Sequence, residues 1–291
     1  MKKILILLAI LILCLSGCGK GKTVTDKITV MASFYPMAEF SRNVVGDCAE
    51  VKTMVPDGVE PHDWDPAPRD LTGLGKAKVF VYNGYVESWA ESALKTFNDQ
   101  PIKAVQTGKD LYHLKGHVDP HVWVSPKKAL IAVDRITKAM CQADPRNAEK
   151  YTKQGEAYCK ELQKLDTELT ELAATAPKKK FVTAHAAFGH LAADYGLEQI
   201  AVAGISPEEE PTPGYLQNLV QIIRTEKVKY VFMETLASPK LTELLAKETG
   251  AKILVLDPIE GLDEQGRKDN LTYVKLMQRN IANLRKALTE E

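Results

Sequence analysis

The 291-residue sequence has no excess of either charge: 38 Lys and Arg stand against 38 Asp and Glu. A protein that neutralises a phosphate backbone needs a basic surplus, so a nucleic-acid role is disfavoured. Long apolar runs are equally scarce. The most conspicuous, Ile4 to Leu15, has twelve residues. As a helix it would rise about 18 Å, short of the roughly 30 Å hydrocarbon core, so it is not expected to be a permanent membrane span. Cysteine is limited to Cys14, Cys18, Cys48, Cys141 and Cys159. Beyond the first two an odd number remains, which excludes a complete disulfide framework. A Cys141–Cys159 bridge is not expected. The chain turns at Asp144-Pro145 and enters a helix that carries Cys159 about 20 Å along its axis, whereas a disulfide needs Cα atoms within roughly 7 Å. Buried free thiols are the simpler expectation. No compact ligand motif of the His-Glu-x-x-His kind occurs either.

What is present is an ordinary globular composition, 45% hydrophobic and 26% charged, with length for one large or two medium domains. Lys2 and Lys3 precede the apolar run, and Ser16, Gly17 and Cys18 follow it, which is the layout of an export signal. Leu15-Ser16-Gly17-Cys18 resembles the bacterial lipobox. That resemblance implies a signal peptide over 1–17, a lipidated Cys18 and a tether over 18–26, with the protein exported and held on the extracytoplasmic face of a membrane. One acyl chain anchors only marginally, so stable retention implies several.

From Lys27 onward, short β-branched runs alternate with helix-like segments: Ile28 to Val30, Val51 to Val55, Lys78 to Tyr82 and Ile102 to Val105. The cadence returns at Phe181 to Thr183, Gln199 to Val202, Val228 to Met233 and Ile253 to Leu256. Such alternation predicts parallel α/β sheets, in lobes over 27–143 and 177–291. The architecture repeats while the residues do not. Between the lobes, Tyr151, Gly155, Tyr158, Leu162, Leu165, Leu169 and Leu172 are spaced 4, 3, 4, 3, 4, 3. That stripe predicts one long helix over 144–176, capped by Asp144 with Pro145 in its first turn and packed on both lobes. A helical linker predicts small loop or tilt motions in preference to wide domain closure.

Six histidines occur, in different settings. His62 and His121 lie in proline-pinned loops, and His185 ends a predicted strand. Ligands of open α/β sheets gather at carboxyl strand ends, where these three and Asp257 can converge. Imidazoles are borderline-soft donors, and one carboxylate offsets part of a cation's charge, a mixture suited to tetrahedral zinc. His190 follows His185 by five residues and points to another helical face, so it reads as structural. Trp64 and Trp123 sit beside two of the histidines and read either as walls of a site or as plain packing, and Glu208-Glu209-Glu210 as an exposed loop.

Glu60-Pro61-His62, Asp119-Pro120-His121-Val122-Trp123, His185-Ala186-Ala187-Phe188-Gly189 and Leu256-Asp257-Pro258 resemble the four signatures of the zinc- and manganese-binding solute-binding proteins of ABC transporters. Val81-Tyr82-Asn83-Gly84 and Ile205-Ser206-Pro207-Glu208-Glu209-Glu210-Pro211 agree, so the likeness spans the chain from the lipobox onward. It implies two α/β lobes on one long helix, with a single metal ion at the lobe interface held by His62, His121, His185 and Asp257. Glu60 or water is the alternative fourth ligand. Manganese-specific members carry a glutamate where His185 stands. His185 therefore implies Zn²⁺ as the cargo, with Mn²⁺ or Fe²⁺ as the alternative. The long histidine-rich loop of many zinc receptors is short in this chain; His113 and His117 are its only candidates for auxiliary metal collection.

The expected function is capture of zinc by a monomeric, non-enzymatic receptor and its transfer to an ABC import permease. Closing four positions with protein groups leaves none for an activated water. The rival is a secreted zinc hydrolase using His62, His121, His185 and water, with Glu60 as general base. A surface-adhesin role is a third reading, which the sequence does not exclude.

Overall fold

The computed structural model describes residues 27–290. The signal peptide, Cys14, Cys18 and the tether up to residue 26 lie outside them. The first lobe runs β1 (Thr29–Ala32), α1 (Tyr35–Val45), β2 (Glu50–Thr53), α2 (Pro68–Leu74), β3 (Val79–Tyr82), α3 (Ala90–Thr96) and β4 (Lys103–Gln106). A small hairpin, β5 (His113–Leu114) and β6 (His117–Val118), follows, and then α4 (Pro126–Ala143). After the long helix α5 (Ala148–Thr175) come β7 (Lys180–Thr183), α6 (Gly189–Tyr195), β8 (Glu198–Ala201), α7 (Pro213–Thr225) and β9 (Tyr230–Met233). The chain ends with α8 (Lys240–Thr249), β10 (Lys252–Val255), α9 (Glu264–Lys268) and α10 (Tyr273–Thr289).

The two main sheets are parallel throughout, in the orders β2-β1-β3-β4 and β10-β9-β7-β8. Each lobe thus places its first strand between its second and third. This shared topology is the repeat of architecture without repeated residues. β3, Val-Phe-Val-Tyr, is buried at all four positions, as a strand covered by helices on both faces must be. The edge strand β2, Glu-Val-Lys-Thr, alternates exposed and half-buried residues. In both lobes the strand order reverses beside the first strand, so each carboxyl edge opens a crevice at that point.

The seven-residue stripe of α5 is buried along its whole length. Its 28 residues span about 42 Å, reaching from α1 and α4 of the first lobe to α6 and α10 of the second. The helix starts later than the sequence implies. Pro145–Asn147 forms a 3₁₀ turn, because the Asp144 carboxylate accepts from Asn147 Nδ2 (2.7 Å), Tyr151 Oη (3.0 Å) and Arg146 Nε (3.2 Å) and caps no backbone N–H. Cys48, Cys141 and Cys159 are free, as expected, but half-buried where full burial was anticipated.

The lobes are tied together across their interface. Trp123 Nε1 donates to Pro258 O (2.8 Å), and Tyr273 Oη donates to Trp123 O (2.6 Å). Within the first lobe Phe34 supports Trp123 edge-on at 5.0 Å, and across the interface Ser125 Oγ donates to Asp194 Oδ2 (2.5 Å). One apolar core runs without a break from β1 through α5 to α10. Wide opening would expose that core, so small displacements are the motions this interface permits.

Gly155 permits the close approach of α4 and α5: a Cβ there would lie 2.4 Å from Thr137 Oγ1 and 3.3 Å from its Cβ. Thr137 is β-branched, and its hydroxyl already donates to Val133 O (2.8 Å), so it has little freedom to yield. Alanine outranks glycine in a helix by about 1 kcal/mol. Gly155→Ala is nonetheless expected to lower the urea midpoint, and Thr137→Ala in the same chain to recover part of the loss. Higher stability in Gly155→Ala alone would show that the contact does not matter.

Candidate metal centre

Loops at the carboxyl edges of both sheets deliver four side chains to one point. His62 lies on a 3₁₀ turn, Pro61–Asp63, beyond β2, where Glu60 caps the turn by accepting from His62 N (3.2 Å). His121 precedes the 3₁₀ turn Val122–Val124 and is fully buried. His185 lies two residues beyond β7, also fully buried. Glu260, in the loop beyond β10, is the fourth. One ligand atom from each of His62, His121, His185 and Glu260 falls within 4.8 Å of the others.

The ring nitrogens are oriented by carboxylates behind them. Asp119 Oδ1 takes both His121 N (3.0 Å) and His121 Nδ1 (2.8 Å). Glu234 does the same for His185, Oε1 with the backbone N (2.9 Å) and Oε2 with Nδ1 (2.5 Å). A carboxylate on Nδ1–H fixes the tautomer and leaves the lone pair on Nε2. The Nε2 atoms face inward, His62 to His121 at 3.1 Å and His121 to His185 at 3.4 Å. Glu260 Oε1 stands 3.5 Å from Nε2 of His62, 3.5 Å from that of His121 and 3.8 Å from that of His185.

Glu260 is 3% exposed, and its Oε1 has no hydrogen-bond partner among the described residues. A buried carboxylate oxygen left in that state is costly unless a cation answers it. Burial opposes its charge, but the closeness and charge of His121, His62 and His185 prevail and hold the carboxyl below the usual carboxylate range. Burial likewise opposes a charged His121, yet Asp119 and Glu260 push its pKa up to about 9. Glu60 is raised, first by burial and then by the charge of Glu260. Three imidazole nitrogens and one carboxylate oxygen are a donor set that could hold a tetrahedral transition-metal ion.

The structure brings His62, His121 and His185 together and leaves Asp257 out. Asp257 Oδ2 accepts from Thr235 Oγ1 (2.6 Å) and Oδ1 from Ile259 N (2.7 Å), so its short side chain is consumed inside its own loop. Burial pushes its pKa up to about 6. Glu260 takes the fourth place because it has one more methylene and because the chain turns back at Ile259, whose φ is +61°. The signal in the sequence was an acid set among apolar neighbours, Pro258-Ile259-Glu260-Gly261-Leu262. Glu60 is not among the four grouped residues and stands beside Glu260 instead.

His113 and His117 lie exposed on the β5–β6 hairpin. His113 pairs with Val118 and Leu114 with His117, so the two imidazoles project from opposite faces. His190 Nε2 bonds Asp119 O (2.8 Å), a structural role behind His121. Trp123 packs 5.3 Å from the His121 ring, whereas Trp64 packs on Trp89 at 5.4 Å and lies between the main core and a smaller apolar cluster. Glu208, Glu209 and Glu210 are exposed.

The chain is similar to known proteins over nearly its whole length. A family model described as zinc-uptake complex component A, periplasmic, matches residues 30–287. The high-affinity zinc uptake system protein ZnuA of Bacillus subtilis is 36% identical over 308 residues, covering 98% of this chain and 97% of the relative. The zinc-binding lipoprotein AdcA of Streptococcus pneumoniae is 35% identical over 310 residues, and the chain spans 62% of its length. The crystal structure of the Zn(II)-bound ZnuA-like domain of S. pneumoniae AdcA superposes with a TM-score of 0.81 at 36% identity, covering 91% of this chain and 100% of that one. The laminin-binding protein of Streptococcus agalactiae, described as bifunctional with adhesin and metal transporting activity, superposes at 0.83 and 32% identity, covering 90% of this chain and 100% of that one.

Asp119→Asn and Glu234→Gln keep side-chain size and remove the negative charge behind one imidazole. Each is expected to weaken divalent transition-metal binding by about 10- to 100-fold, read by chelator competition, with the far-UV circular dichroism unchanged. Unaltered affinity in both would show that these carboxylates do not tune the site.

Proposed function

Because the chain belongs to the zinc-uptake complex component A family, we propose that it is an extracytoplasmic solute-binding protein that captures Zn²⁺ with His62, His121, His185 and Glu260 and passes it to an ABC import permease. The observation that carries the reading is Glu260 Oε1: buried, without a hydrogen-bond partner among the described residues and facing three imidazole Nε2 atoms. Three nitrogens and one oxygen favour zinc over manganese, which prefers a more oxygen-rich shell, and over ferrous iron, which binds such donors more weakly. A closed four-donor shell offers no position to an activated water, which supports binding and transfer over hydrolysis. Lipidation at Cys18, a monomeric state and lobes over 27–143 and 177–291 joined by the helical linker complete the proposal. The lipoprotein relative and the lipobox support the anchor.

The first lobe supplies His62 and His121, the second His185 and Glu260. A permease that shifts one lobe slightly against the other would therefore break the shell in two. The Trp123–Pro258 and Tyr273–Trp123 bonds resist such a shift in the free protein and keep the cargo from escaping.

Purified protein is expected to bind one Zn²⁺ per chain. Glu260→Gln should weaken it by at least about tenfold, a loss of roughly 1.4 kcal/mol, and more than Asp257→Asn does. Equal affinity in Glu260→Gln and the unaltered protein would remove the basis of the assignment. Metal binding also requires deprotonated ligands. With His121 raised to about 9, the metal-free centre holds a proton at neutral pH that zinc must displace. Calorimetry in buffers of different ionisation enthalpy is expected to show proton release near pH 7.5 and an apparent affinity that falls as pH falls. Uptake of protons on binding would contradict the donor set.

A further inference from the structure

Glu260 sits on a segment whose conformation its own contacts do not explain. Ile259, the residue before it, is fully buried and β-branched, yet has φ of +61°, in the left-handed region that such side chains disfavour. On one side, Pro258 O accepts from Trp123 Nε1. On the other, Asp257 and Gly261, though not Ile259, border a cavity of about 420 Å³ together with Thr235, Leu271 and Asn280, so packing beside Asp257 is incomplete. Hydrogen bonds hold the segment there. Asn280 of α10, 1% exposed, grips the backbone of Asp257 with both ends of its amide: Oδ1 accepts from Asp257 N (2.8 Å) and Nδ2 donates to Asp257 O (2.6 Å). Asp257 in turn fixes Ile259 N through Oδ1, while Thr235 Oγ1 holds Oδ2.

We propose that Asn280 and Asp257 are positioning residues for metal capture: through the backbone of Ile259 they hold the Glu260 carboxylate against His62, His121 and His185. Asp257 acts as the support of a ligand rather than as a ligand. The chain of contacts is short and continuous, from Asn280 amide to Asp257 backbone, from Asp257 carboxylate to Ile259 N, and from there to the adjacent Glu260. Without the grip, Asp257 shifts toward the cavity it borders, Ile259 leaves its positive φ, and Glu260 withdraws from the three imidazoles. The centre then becomes a three-histidine site with an open fourth position.

This inference rests on Glu260 being the fourth donor, and its test separates the two. Co²⁺ alone serves as the probe, since its visible absorption reports ligand number and type. Purified unaltered protein, Asn280→Ala, Glu260→Gln and the double variant are compared. Asn280→Ala is expected to reproduce the Glu260→Gln spectrum and to lose at least about tenfold in Co²⁺ affinity, as loss of a supporting contact does. The double variant should bind no more weakly than Glu260→Gln, because interactions in one chain of contacts do not add. Independent, additive losses, or an unaltered spectrum in folded Asn280→Ala, would overturn the positioning role. If Asn280→Ala does not fold, Thr235→Val removes only the hydroxyl on Asp257 and is expected to shift the spectrum in the same direction; no shift overturns the proposal. An unaltered spectrum and affinity in Glu260→Gln overturns the donor assignment, and the positioning role with it.

Discussion

Three imidazole lone pairs and a buried carboxylate oxygen pointed at one another form an arrangement that proteins do not maintain without a reason. Each Nε2 carries partial negative charge and the carboxylate a full one, and burial leaves little solvent screening between them. A divalent cation turns all four donors from mutually repelling groups into ligands. In the metal-free protein a proton on His121 meets part of that demand. The same need explains the buried carboxylates one step further out. Asp119 and Glu234 fix two rings in the tautomer that presents Nε2 inward and add negative charge that a cation partly offsets.

The fold serves that constraint. Parallel sheets put the loops after their strands on one edge, and two lobes of like topology turn those edges toward each other. The 28-residue helix α5 sets the distance between them, and its buried stripe makes it part of both cores. A continuous apolar core with a Trp123–Pro258 bond across the interface allows little relative movement. The assembly is therefore better suited to holding a preformed cage than to closing around an arriving ligand. A cage of this kind gains affinity from preorganisation, since few side chains need ordering when the ion enters.

Much of this was legible in the sequence for definite reasons. All eight predicted strands appear, and the clearest, Val79 to Tyr82, is a continuous β-branched and aromatic run because it is buried on both faces. The helix was legible because the stripe from Tyr151 to Leu172 keeps its period over three heptads. His62 and His121 were marked by flanking prolines, and His185 by its place just past a strand. Asp257 and Glu260 lie three residues apart in one loop, and the sequence does not show which of them stands with the histidines; the chain turns back at Ile259 with a positive φ. Nothing local in the sequence announces that turn or the hydrogen bonds from Asn280, 23 residues beyond Asp257, to the Asp257 backbone. The start of α5 was misplaced for a similar reason, since the Asp144 carboxylate engages side chains where a capping role was expected.

The most direct test of the central claim is the zinc-edge X-ray absorption spectrum of the purified protein loaded with one equivalent of Zn²⁺. Four light donors at about 2.0 Å are expected, with the scattering pattern of three imidazoles and one carboxylate oxygen. Fewer than three imidazoles, or a shell expanded to five or six by water, would contradict a closed centre built from His62, His121, His185 and Glu260.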